Sequence, residues 1–162
     1  MTYSVPAHDP AMAAHPAAEP AQIGSAVPHR FTRPGERPVA FSGTEMAMAM
    51  SFTPELPYWY EIAIYRTDDQ RFVLAIRLFF QSEDEDDVSQ AWVFDSLFEA
   101  FDAIQGYDAG KDVKVAFDET SMQVPADMMA SALELRARVA AARMHYAGLV
   151  GEFFSELDRS AA

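Results

Sequence analysis

The chain has 162 residues, which fits one domain plus extensions, and half of them are hydrophobic, so a sizeable core can be built. Its 25 acids outnumber its 12 bases for a formal net charge of −13. That balance argues against a general nucleic-acid binder, which needs clustered Lys and Arg, and against docking on an anionic membrane surface. With no cysteine, disulfides, thiol nucleophiles and thiolate metal sites are excluded.

Residues 1–38 are rich in Ala, Pro and His and hold seven of the ten prolines. Too few large apolar residues occur there to offset the entropy of ordering, so this segment is expected to be a flexible arm, with one α+β domain over 39–162. The N-terminus lacks a basic region followed by an apolar one, and no apolar run is long enough to cross a bilayer. The expectation is a soluble, cytoplasmic protein.

"FSGTEMAMAMSF", Phe41 to Phe52, alternates Met46, Met48 and Met50 with alanine. That pattern suits a strand, and the thioethers read as adaptable packing rather than a metal box. Period two is clearest next. In "YWYEIAIYR", Tyr58, Tyr60, Ile62 and Ile64 share a face; in "RFVLAIRLFF", Phe72, Leu74, Ile76, Leu78 and Phe80 do. "TDDQ", Thr67 to Gln70, joins them as a hairpin turn. On the opposite face Glu61 and Arg77 look wet, while Val73, Ala75 and Phe79 read as partly covered. Val88 to Phe94 reads as a third strand.

Ser96 followed by Glu99 has capping-box spacing and opens a helix with Leu97, Phe101 and Ile104 inward and Gly106 as its stop. Val113, Val115 and Phe117 alternate and suggest a fourth short strand. Pro125 suits the first turn of a last helix. Ala132, Leu135, Val139, Ala142, Tyr146, Leu149 and Phe153 form its stripe over about 50 Å. Gly148 and Gly151 are places where it can bend. The expected fold is therefore α+β: a mainly antiparallel sheet of three to four strands, near 58–66, 71–81, 88–94 and 113–117. Its even-numbered face is packed by a short helix and a long C-terminal one.

No constellation points to catalysis, a cofactor or a metal, so none is expected. The serine-hydrolase elbow and the phosphate-binding loop are missing. Three of the four histidines lie in the expected arm, and His145 reads as packing or surface. The consecutive acids Glu83, Asp84, Glu85, Asp86 and Asp87 lack the glycine and alternation of a calcium loop and read as a solvated turn between strands. Residues 83–119 nevertheless hold twelve acids against Lys111 and Lys114 alone.

The functional expectation is a non-catalytic acidic interaction module, an adaptor or inhibitor of a basic partner. Two alternatives stand beside it: a small enzyme using carboxylate acid–base chemistry, and a structural subunit of a larger assembly. The residues expected to meet a partner are the five acids together with Leu149, Phe153, Phe154 and Leu157, where the last helix looks too long for one sheet face to cover. Homo-oligomers or hetero-complexes through that helix are expected, without direct nucleic-acid or membrane binding.

Overall fold

The structure is a computed structural model that describes residues 26–115 and 124–161. It is α+β. Five antiparallel strands run in sequence order: β1 (Val27–Arg33), β2 (Glu36–Met50), β3 (Tyr58–Thr67), β4 (Phe72–Phe80) and β5 (Val88–Phe94). Helix α1 (Leu97–Gly106), a 3-10 turn (Ala109–Asp112) and helix α2 (Pro125–Ala161) follow. No helix among the described residues is long and apolar enough to cross a membrane.

The β3–β4 ladder pairs Tyr58 with Phe80 and continues without a shift to Arg66 opposite Phe72. Facing residues share a side of the sheet, so the even-numbered residues of both strands form one apolar surface. Tyr60, Ile62, Ile64, Leu74, Ile76 and Leu78 are buried there under α1, the 3-10 turn and α2. The hairpin closes through Thr67, whose N–H donates to Arg71 O, with Gln70 at φ 65°. The Ser96–Glu99 capping box forms as expected, and α1 buries Ala100 and Ile104.

The odd-numbered face is also apolar, and the first hairpin covers part of it. Residues 27–38 do not belong to an arm. They form β1 and the start of β2, turning at Pro34 and Gly35, the latter at φ 71°. Residues 1–25 lie outside the described residues. Pro28 is tolerated because β1 is an edge strand, and Pro38 falls where the β1–β2 register shifts. Val39, Phe41 and Phe31 join Ala63, Tyr65, Val73, Ala75 and Ala91 in a second core. The hairpin curls far enough for Cα atoms of β1 and β5 to come within 8 Å.

The corner of this curl is Gly43, which pairs with Val27 on one side and Thr67 on the other. A Cβ there would lie 2.5 Å from Arg66 O. Only glycine lets the hairpin leave the plane of the sheet so close to β3. At the seam of the odd face, Glu61 is buried and ion-paired to Arg77, whose Nε donates to Oε1 at 3.0 Å. The pair is not the wet surface expected of it. A charge can remain there because the guanidinium neutralises it and rests on the Phe31 and Phe79 rings, 5.7 and 5.3 Å from their centroids.

Two further expectations are corrected. Residues 113–115 form no strand; Asp108 Oδ1 accepts from Gly110 N at 3.0 Å and winds the preceding residues into the 3-10 turn. Phe117 lies outside the described residues. Helix α2 runs unbroken through Gly148 and Gly151.

Gly43→Ala is expected to lower stability by about 1–3 kcal/mol through overpacking, read as a lower urea midpoint at unchanged slope. Gly148→Ala, where the new Cβ meets nothing within 4 Å, is expected to raise it by about 1 kcal/mol. Equal midpoints for Gly43→Ala and wild type would contradict the corner assigned to Gly43.

Candidate functional site: the loop end of the sheet and an adjoining cavity

The acidic run joins β4 to β5, and residues 81–87 are all exposed. Asp87 acts locally, its Oδ1 accepting from Phe80 N at 3.1 Å to close the turn. Gln81 ties this loop to the β2–β3 loop, donating from N to Pro57 O (2.8 Å) and from Nε2 to Leu56 O (2.8 Å). Glu83, Asp84, Glu85 and Asp86 are left projecting from a braced loop.

Beside that loop the odd face of the sheet is uncovered by the hairpin. Met48 faces Ala63 and Met50 faces Glu61 in the β2–β3 register. Trp59 stacks on its cross-strand neighbour Phe79 at 5.3 Å, and Phe52 meets Trp59 edge-on at 5.2 Å. Phe52 is 52% exposed and Met50 47%. The methionines that read as packing are therefore largely at the surface. The residues Phe52, Trp59 and Phe79 do not stand out in the sequence as a site. The available signal is their place opposite an even face that is already apolar.

The apolar residues assigned to a partner at the end of α2 are placed differently. Leu149 and Phe153 are 2% and 1% exposed in the main core, and Phe154 and Leu157 pack against it. Phe154 meets Phe101 of α1 edge-on at 5.2 Å. The second half of α2 covers both the sheet and α1, so this stripe is consumed within the chain. The exposed part is the first half: every residue from 125 to 134 is exposed, including Met129 at 64% and Leu133 at 59%.

On the helical face, next to the acidic loop, lies a cavity of about 340 Å³ between β3, β4, the 3-10 turn and α2. Asp112 lines it. Its carboxylate accepts from Tyr60 Oη (2.9 Å) and from Tyr107 Oη (2.8 Å to each oxygen). Burial pushes its pKa above the usual carboxylate range against the effect of these hydroxyls, and Asp108 adds to the rise. Burial, then the carboxylate itself, pushes both tyrosines up, so each stays a donor. No basic side chain forms an ion pair with Asp112 among the described residues.

His145 is held in place by a hydrogen bond. Its Nε2 lies 2.5 Å from Ser51 Oγ, which also accepts from Tyr60 N at 2.9 Å. The serine thus clamps the end of β2 to β3 and α2. Burial holds the imidazole below its usual pKa, the Ser51 bond and Glu152 opposing. Arg143 fixes the 3-10 turn to α2 through Asp108, with Nε and Nη2 at 2.8 and 2.9 Å from its two oxygens. That bond is the main reason Asp108 falls to about 2. Among the described residues no group of three or more His, Asp or Glu is arranged to hold a metal ion.

No protein-family model matches the chain, and neither a curated protein nor a solved structure matches it.

Partial burial of Asp112 works against its charged form. Its folded-state pKa is raised, so the ionised form is penalised at neutral pH, and the penalty disappears as pH falls through that pKa. Asp112→Asn keeps an acceptor for one tyrosine and offers its amide to the other. It is expected to melt higher than wild type at pH 7.5, with the difference shrinking towards pH 4. A variant that melts lower than wild type at both pH values would contradict this account.

Proposed function

We propose that the chain is a non-catalytic interaction module that receives a basic, apolar-anchored segment of another protein at the loop end of its sheet. The observation that carries this reading is the juxtaposition there of the acidic loop with the exposed Met48, Met50 and Phe52 and the half-buried Trp59 and Phe79 beside them. Aromatic and methionine side chains are the types that dominate binding energy at interfaces. The neighbouring carboxylates and the net charge of −13 steer and select a basic partner.

Two synthetic amphipathic peptides test it, one with lysines and leucines and one with glutamates in place of the lysines. Wild type is expected to bind the basic peptide with an affinity that falls steeply from low to moderate salt. Replacing Glu83, Asp84, Glu85 and Asp86 by their amides is expected to slow association and flatten the salt dependence. Trp59→Ala is expected to cost about 2 kcal/mol, a roughly thirty-fold weaker Kd, mostly in dissociation rate. Equal binding of both peptides, or no effect of either set of substitutions, contradicts the proposal.

The exposed first half of α2 supports a second contact, between two copies of the chain. Met129 and Leu133 stand free of the core, and Glu134 and Arg138 offer opposite charges to an antiparallel copy. Sedimentation velocity at micromolar concentration is expected to show a dimer for wild type and a monomer for Met129→Lys/Leu133→Lys. A monomeric wild type contradicts this contact.

A further inference from the structure

The cavity on the helical side of the sheet lies apart from the open end of the odd face. It exists because α2 turns Ala141 and Ala142 towards Tyr58, Tyr60, Leu78 and Phe80, and two methyl groups leave space that larger side chains would fill. Its size of about 340 Å³ is at the small end for ligand cavities. We propose that it binds a small organic amine in its protonated form, with the ammonium on Asp112 and the apolar body against the rings of Tyr58, Tyr60 and Phe80.

Three observations carry the assignment. Asp112 is partly buried and held by two neutral hydroxyls, with no cation paired to it among the described residues. A carboxylate has about four lone-pair sites. Tyr60 uses Oδ2 and Tyr107 is shared between the oxygens, so Oδ1 keeps capacity for an N–H donor.

The walls are aromatic, and ring faces attract cations. Lys114 already shows this, its Nζ lying 5.1 Å from the Phe80 centroid.

The charges at the rim differ in their freedom. Lys114, Arg138 and Glu85 are all exposed, so each can turn to water. Asp112 is anchored by its tyrosines and cannot. An anionic ligand would place its charge against that fixed carboxylate, whereas an ammonium neutralises it. The stability cost of keeping an unpaired acid here is then the counterpart of binding.

Calorimetry on the full chain tests the proposal with three probes of similar shape: phenethylamine, 2-phenylethanol and 3-phenylpropanoate. Phenethylamine is expected to bind at millimolar concentration or better, at least ten-fold tighter than either of the others. Asp112→Asn is expected to weaken the amine at least ten-fold. Ala141→Phe, at an exposed position on the cavity wall, is expected to block it while leaving the melting temperature unchanged. It decides the matter should Asp112→Asn fail to fold. Asp84→Asn/Asp86→Asn, away from the cavity lining, is expected to bind the amine like wild type, which separates a built site from general attraction to an acidic chain. The proposal is overturned if the propanoate binds as well as the amine, if folded Asp112→Asn or Ala141→Phe retains full affinity, if Asp84→Asn/Asp86→Asn loses it, or if no probe binds at millimolar concentration.

Discussion

The ladder between β3 and β4 is the constraint on which the rest depends. Its register, with Ile62 opposite Ile76 and Ala63 opposite Ala75, makes both faces of the central sheet apolar at once. An antiparallel sheet with one apolar face needs a single cover; this one needs two. The helices supply the first. The second comes from β1 and the first half of β2, which must bend at Gly43 to reach the odd face. That hairpin is short, and it covers the end of the sheet near Tyr65 and Val73. The end near Trp59 and Phe79 stays open, beside the loop that carries the acids. The candidate interface is thus the remainder of a covering problem, and its charge comes from the loop that joins β4 to β5.

The helical side follows a similar logic. Helix α2 buries Tyr146, Leu149 and Phe153 where it crosses the sheet and α1. One turn earlier it offers alanines, and the space they leave is closed at its inner end by the 3-10 turn. Two polar ties hold that turn. Arg143 grips Asp108 from α2, and Tyr60 and Tyr107 grip Asp112 from the sheet and from the end of α1. The first tie is an exposed ion pair with little at stake in desolvation. The second keeps a carboxylate partly away from water, with no counter-charge paired to it among the described residues. Stability alone would favour an amide there. A place where local chemistry works against the fold is where a function is sought.

Much of this was legible in the residues. The alternation from Tyr58 to Phe80, the capping box at Ser96 and the proline at the head of α2 each carry a local physical cause, and each lies where the spacing puts it. The first hairpin was hidden because its apolar positions are diluted by Pro28, Pro34 and Pro38. Those prolines are tolerated only because they fall on an edge strand, in a turn and at a register shift, which are tertiary facts. The end of α2 misled for a related reason. Leu149, Phe153 and Phe154 make a broad stripe, and breadth alone does not distinguish a helix that packs on two elements of its own chain from one that seeks a partner. The acids at 83–87 were visible at once, but what gives them meaning, Trp59 and Phe79 beside them, depends on strand pairing. Asp112 was one acid among many; only burial and the convergence of two tyrosines 52 and 5 residues away single it out.

The central claim is that the open end of the odd face, with its acidic loop, is where another protein docks. The most direct measurement is a backbone amide NMR map of the full chain titrated with a basic amphipathic peptide. The account predicts that the perturbed amides concentrate in residues 48–52, in Trp59 and in residues 79–87, with α2 unaffected. Perturbations confined to residues 125–138 of α2, or spread evenly over every acidic side of the molecule, would contradict it.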